Sequence, residues 1–474
     1  MLSLSEKELT QNITPDAAPS YLLPEEKPRW HRFKTYDNLL MGNHERVFLT
    51  GLSAKERKQF TRYIIANFCR FISKISADFL FGEHIVVETA DKENSAAQAQ
   101  LDLIVRGDLM QQRKGINELG HQTAFVGSAY GNTYWQVIKE DDDELGRLTY
   151  LSPMRCFPIA SKNNADRIEK YLTYQPMSAG QKDYVLITEH RMGENEYTLY
   201  EVTKEGERVR VELNELPETA TLINIEPTKL KSFDIISIPN IKDRPDTVEG
   251  TSDYVDIMDL QAEINRRISQ SSGVFDKHFN PKMSVPAGVL DKDGRVRKDN
   301  FELIESTSED GKLITPQYIT FDSHMKEAVE WVEKVINLLY LLSETSNTAA
   351  GDDQKGGVEA FETLRMRMMR TLAKINRKRT FFEPAVRAAI TTCFTIAGKE
   401  APEFTVQWQD GIPVSDEDAA KKDADLHASG AMSLEKLVRR RPDMAEASEE
   451  DIMAEVERIR KDQEPVSPAP TINV

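Results

Sequence analysis

At 474 residues the chain is too long for one ordinary hydrophobic core and should divide into several modules. Its 78 Asp+Glu outweigh 61 Lys+Arg for a net charge of -17, which argues against a simple duplex binder, because a basic face supplies most of such affinity. Cys69, Cys156 and Cys393 are too far apart for a disulfide framework or metal pairing, Met1–Glu6 lacks a signal pattern, and the most apolar run, Ile336–Leu342, is far too short to span a bilayer. A reducing cytoplasm is the expected place of synthesis.

Up to about Tyr36 the chain is rich in proline and charge and reads as an extended arm. Phe60, Ile64, Phe68, Ile72, Ile75 and Phe79 recur at three- and four-residue steps, which predicts a helix over Lys55–Phe81 that stops at Gly82. A second helix is expected over roughly Ala96–Phe125. Strands follow at Asn132–Lys139 and Leu145–Leu151, joined by an acidic turn. A meander continues through Tyr184–Glu189, Tyr197–Val202 and Val209–Leu213, with Gly193 and Gly206 in its turns.

The second half alternates differently. Asp253–Ser271 reads as a helix. Met283–Leu290, Phe301–Ser306 and Ile314–Phe321 are strand-like, and Asp293-Gly294 and Asp310-Gly311 supply turn signals between them. Met325–Ser343 then resumes as helix, so two helices leave and return to one place with a compact β cap between them. This returning helix carries Val329, Trp331, Val332, Val335, Ile336, Leu338, Leu339, Leu341 and Leu342 around most of its circumference. Such a helix must be covered on all sides, either in the centre of a core or against neighbouring subunits.

Glu344–Gly357 is polar, bears glycines and lacks periodicity, so it reads as a mobile loop. A very long helix is expected from Val358 to about Ile396, with a kink at Pro384 where one backbone bond is lost. Its first part holds Arg365, Arg367, Arg370, Lys374, Arg377, Lys378 and Arg379, a basic stretch in an acidic chain. Phe404–Gln409 is a strand. Charged helices then span Ser415–Gly430, Ser433–Arg440 and Ser448–Lys461, with Ser415, Ser433 and Ser448 as helix starts. Pro465, Pro468 and Pro470 mark a disordered tail.

Catalytic signatures fail one by one. Gly351 and Gly356 have the spacing of a phosphate loop, but Gly357 and Val358 occupy the positions that need Lys and Ser/Thr. In Gly127-Ser128-Ala129-Tyr130-Gly131 the serine is off position for a nucleophile elbow. Asp291-Lys292-Asp293-Gly294 lacks the later acidic ligands of a calcium loop, and the eight histidines never pair at ligand spacing. No catalytic site, metal site or cofactor is expected.

Several local segments share a resemblance. They are Ile75-Ser76-Ala77-Asp78-Phe79-Leu80-Phe81-Gly82, Gly131-Asn132-Thr133-Tyr134-Trp135, Pro239-Asn240-Ile241, Asp259-Leu260-Gln261-Ala262-Glu263-Ile264-Asn265 and Val406-Gln407-Trp408. In this order, with a helix–β insert–helix–loop–long helix succession, the chain resembles the portal proteins of long-tailed (siphovirus-type) bacteriophages over roughly Tyr36–Asp462. The resemblance implies an α+β subunit with an α/β wing, two-helix stem, small β-rich clip, long kinked helix and α-helical crown. The implied regions are arm and wing at 1–250, stem helices at 251–275 and 324–343, and clip at 276–323. The tunnel loop follows at 344–357, the long helix and strand at 358–411, the crown at 412–463 and the tail at 464–474.

The implied function is a dodecameric ring at one capsid vertex, a channel through which double-stranded DNA is packaged and ejected. The ring would be made in the host cytoplasm with capsid and scaffolding proteins and retained in the virion. Its clip would dock the terminase large subunit and later a head–tail adaptor, with Arg295 and Arg297 on the docking surface. By position, Asn347, Thr348, Asp352, Asp353 and Lys355 would face the DNA. Arg365, Arg367, Arg370 and Lys374 would pair with acidic residues of the adjacent subunit or touch phosphates. A conduit gains from weak contact, since each neutralised phosphate adds affinity and therefore drag. Two other classes stay open: a packaging ATPase or nuclease, which would need the phosphate loop or gathered carboxylates, and a non-channel capsid or adaptor protein.

Overall fold

In a computed structural model, the structure describes residues 2–4, 13–57, 60, 62–91, 93–140, 143–203, 205–279, 283–284, 317–318, 325–351, 361–408, 423–439, 444 and 449–463. The chain forms two compact units, residues 1–354 with 368–411 and residues 355–367 with 412–474. Both helix and strand are abundant, in agreement with the expected α+β class.

The region expected to be one helix from Lys55 to Phe81 is three elements. A single helical turn at Ala54–Arg57 is followed by strand β2 (Tyr63–Ile65), which pairs with β1 (Leu2–Leu4), and then by a helix, Phe68–Phe81. The aromatic and β-branched Tyr63-Ile64-Ile65 favours an extended backbone. Asn67 restarts the helix by accepting from the Arg70 N–H at 2.8 Å. The other edge of β2 is met by side chains rather than by a strand. Ser269 Oγ accepts from Ile64 N at 2.7 Å, Asn265 Oδ1 from Ala66 N at 3.1 Å and Gln261 Oε1 from Phe68 N at 2.9 Å. These three polar residues repeat every fourth position on one helix, so one face of it substitutes for a sheet neighbour. Asn265 also donates to the buried His44, whose imidazole burial pushes down to about 4, so it is neutral at pH 7.

We label the helices α1 (Lys27–Met41), α2 (Phe68–Phe81), α3 (Ser95–Arg106), α4 (Ile116–Tyr130), α5 (Met258–Phe279), α6 (Met325–Leu342) and α7 (Phe361–Ile396). The second expected helix, Ala96–Phe125, is likewise interrupted. Gly107 at φ +77 closes α3, a short hairpin follows, and α4 starts after Gly115. A Cβ at Gly107 would lie 2.4 Å from the Arg113 carbonyl, so only glycine makes this turn.

The strand region is larger than expected. Strands β6 (Asn132–Ile138) and β7 (Arg147–Leu151) form a three-stranded sheet with β14 (Ile235–Pro239), in the order β14-β6-β7. The meander appears as β10 (Lys182–Arg191), β11 (Glu194–Val202) and β12 (Arg208–Val211), with Gly193 and Gly206 at positive φ in its turns. It extends through the sixteen-residue β9 (Asn164–Ala179) to β8 (Cys156–Ser161). The three-stranded sheet shares its core with α2, α3, α4 and α7 through Trp135, Val137, Ile238, Phe81, Leu101, Leu119, Phe382 and Ile390. A second core joins α1, α2, α4, α5 and α6.

Between α5 and α6 the described residues hold one strand pair, Met283–Ser284 with Gln317–Tyr318, within the first and third expected strands. Phe301–Ser306, Arg295 and Arg297 lie outside the described residues. Helix α7 continues through Pro384 to Ile396, and Phe404–Gln407 pairs with Val86–Thr89. In the second unit, Leu434–Arg439 and Glu449–Gln463 pack through Val438, Ile452 and Val456. Ser433 caps the first of these helices, its Oγ accepting from Lys436 N at 3.3 Å. Ser415, Ser448 and the proline tail lie outside the described residues.

Candidate functional site at the root of the helix pair

Helices α5 and α6 pack together through Ile264, Val335, Leu339 and Tyr340, and Trp331 Nε1 donates to Glu263 at 3.3 Å. Among the described residues only one side of α6 is covered. Trp331, Leu338, Leu341 and Leu342 fall at i, i+7, i+10 and i+11, and remain 43–52% exposed. Among the described residues nothing covers this stripe, and an exposed apolar stripe on one helix is a candidate contact surface.

At the root of this pair a single carboxylate is held from α2, α4, α7 and the segment after β14. Asp253, five residues before α5, has a side chain only 3% exposed. Its Oδ2 lies 2.5 Å from Lys378 Nζ and 3.2 Å from Lys374 Nζ, and accepts from Ser128 Oγ at 2.6 Å. Its Oδ1 accepts from Asn240 Nδ2 at 3.0 Å. Lys378 also donates to Ser76 Oγ at 3.1 Å. Burial alone would raise the Asp253 carboxyl, but the ammonium charges of Lys374 and Lys378 outweigh it and hold the group well below the usual carboxylate range. Burial pushes the Lys378 ammonium the other way, down to about 8, against the pull of Asp253. Two cations thus share one anion inside the protein.

The same face of α7 holds the segment that follows α6. Thr345 N donates to Tyr340 O at 3.0 Å and Glu344 N to Leu341 O at 3.2 Å, the paired bonds of a Schellman ending, with Glu344 at φ +54 where glycine is usual. A non-glycine residue there is strained and persists only when its surroundings hold it. Here Arg377 forms an ion pair with the Glu344 carboxylate. Lys374 Nζ donates to Ser343 O at 2.9 Å, and Thr371 Oγ1 accepts from Ser346 N at 2.8 Å. Residues 371, 374, 377 and 378 are spaced as one helical stripe, so a single face of α7 fixes the root of the loop.

The expected loop residues divide at this root. Asn347 is exposed and donates to Asn337 Oδ1 at 3.1 Å, and Thr348 is half-buried in the turn that Gly351 ends at φ +79. Asp352, Asp353 and Lys355 lie outside the described residues. The expected basic stretch also divides. Arg365, Arg367 and Arg370 are exposed, whereas Lys374 is 4% exposed and occupied by Asp253 and Ser343. The grouping of Lys374 with the three arginines is therefore corrected: its ammonium faces inward, toward a partner in its own chain. Asp253, Lys378, Ser76, Ser128 and Asn240 were not expected at a site.

A second buried cluster has the connectivity of a hydrolase triad. Thr173 Oγ1 lies 3.0 Å from His190 Nε2, and His190 Nδ1 lies 2.9 Å from Asp234 Oδ1. His190 and Asp234 are almost fully buried, and Asp234 also accepts from Gln136 and Asn195. Every partner belongs to, or borders, a strand of one of the two large sheets, so the cluster joins the sheets. Among the described residues no group of His, Cys, Asp and Glu is arranged to hold a metal ion, and no helix is long and apolar enough to cross a membrane.

Comparison with known proteins adds three observations. No curated protein matches the chain. Among solved structures it is similar to a chain from the virion of a native gene transfer agent particle, at TM-score 0.44 and 12% identity over 77% of this chain and 85% of that one. It is also similar to a chain from the neck of the native particle computed with C12 symmetry, at TM-score 0.46 and 14% identity over 77% and 87%. Finally, the family model described as phage portal protein, SPP1 Gp6-like, matches residues 20–469. The chain belongs to that family of phage portal proteins.

Proposed function

We propose that the chain assembles into a ring, a dodecamer, that forms the DNA channel at one vertex of a phage capsid. The observation that carries this reading is the exposed apolar stripe of α6, which a neighbouring copy would cover. In a ring each copy meets the next through two different patches, and twelve such heterologous contacts close on themselves. Under this reading α5 and α6 are the stem around the axis. Residues 276–323 are the clip that docks the terminase large subunit and then a head–tail adaptor, and residues 412–463 are the crown. The loop that begins at Glu344 points toward the DNA. The net charge of -17 suits a channel that lets a duplex slide instead of holding it. The chain has a structural task and no catalytic one, and it works in the virion after assembly with capsid and scaffolding proteins in the host cytoplasm.

Light scattering across a concentration series tests the assembly. The expected result is a mass near that of a dodecamer of the 53.9 kDa subunit. A folded monomer at every concentration and salt would overturn the proposal.

A further inference from the structure

The two buried lysines of α7 contact the same carboxylate but differ in what else they hold. Lys378 reaches Ser76 on α2, within the packed body of the first unit. Lys374 reaches the carbonyl of Ser343, the first residue after α6. We infer that Lys374 is a positioning residue for the loop root, a clamp that ties the end of α6 to the carboxylate at the start of α5. Lys378 is an anchor of α7 that leaves the loop untouched.

Three features of the geometry support the division. Ser343 O lies at the carboxyl end of α6, just past its last residue, where carbonyls lack helical partners and a cation is well placed. The contacts next to it come from the same stripe: Thr371 takes Ser346 N, and Arg377 holds the strained Glu344. Asp253 leads into α5 five residues later, its backbone N–H is fixed on α4 through Ser128 O at 2.8 Å, and its carboxylate contacts both lysines. A shift at the root of α5 is thereby passed to Ser343 through one ammonium group. The functional meaning, that the loop presented to DNA is set by the stem, rests on the channel reading above.

Two isosteric charge deletions separate the roles. Lys374→Met and Lys378→Met each leave one Asp–Lys pair, so Asp253 keeps a cationic partner in both. Residue-resolved hydrogen exchange is measured on the amides of Glu344, Thr345 and Ser346. Lys374→Met is expected to speed their exchange by about tenfold, the size of one lost charge-assisted bond. Lys378→Met is expected to leave them within about twofold of wild type. Thr371→Val removes the neighbouring tie and supplies the same test should Lys374→Met fail to fold; it is expected to speed the Ser346 amide. Equal effects of the two lysine variants, or unchanged exchange in both Lys374→Met and Thr371→Val, would overturn the inference. In assembled rings Lys374→Met should lower DNA packaging yield, and a wild-type yield from rings with loosened roots would overturn the functional part. Should wild type form no rings while the exchange split is seen, the channel reading fails and the clamp survives.

Discussion

Replacing Asp253 by asparagine is expected to destabilise the folded chain by about 3–5 kcal/mol, the cost of leaving a buried charge without its partner. The change is nearly isosteric, so packing is preserved and the loss is electrostatic. Lys374 and Lys378 would face each other across a neutral amide, with side chains 5% and 1% exposed. Loss of one proton from the pair relieves part of the repulsion, and Lys378, already pushed down to about 8, is the group placed to lose it. Without Asp253 the Lys378 ammonium is pushed lower still, so the variant should begin to gain stability below pH 8, before wild type does, and the two should rise together above it. Acid gives the opposite test. A carboxyl held below its ordinary range contributes stability that is complete above the unfolded value and disappears as the pH falls through the folded one. The gap between wild type and Asp253→Asn should thus persist down to the ordinary carboxylate range and close only below it. Urea titrations at several pH values measure this, and a loss under about 1 kcal/mol at pH 7 would show that the hub is not a closed ionic cluster.

The second large effect concerns assembly. Leu338→Glu combined with Leu341→Glu is expected to give a folded monomer at concentrations where wild type is expected to form rings. Both leucines are about half exposed in the single chain, so the variant should keep its fold and thermal midpoint within a few degrees. Across a contact each substitution removes apolar burial and inserts a carboxylate. A loss of at least about 2 kcal/mol per interface follows, equivalent to about 30-fold in affinity, and a ring subunit makes two such contacts. Light scattering beside circular dichroism reads both halves. Rings formed by the double variant at wild-type concentration would place the subunit contact elsewhere on the chain.

Sequence patterns reveal those parts of the fold whose signals are local. The apolar stripe of α2, the glycines of the meander, the Ser433 cap and the limits of α6 all follow from neighbours within a few positions. Strand β2 falls outside such reasoning because Ile64 fits the helical spacing as well as it fits a strand. Its conformation is decided by Gln261, Asn265 and Ser269 about 200 positions away. Strand β9 is hidden for another reason: Asp166, Arg167, Glu169 and Lys170 look like a charged loop, yet the strand is exposed enough to carry them. The hub at Asp253 is the clearest case. Its lysine partner is 125 positions distant, and Asp253 itself reads as an ordinary start of a helix. One signal was present. On a wheel of α7, Lys374 and Lys378 fall on the stripe that carries Thr371, Ile375, Phe382 and Val386, where a solvated lysine has no place.

The ring is the claim on which the functional account depends, and electron microscopy of the purified wild-type protein tests it most directly. Negatively stained particles should show rings with a central hole wide enough for a DNA duplex, and top views should average to twelvefold symmetry. Solid particles without a hole, or compact monomers at concentrations well above those used for assembly, would contradict it.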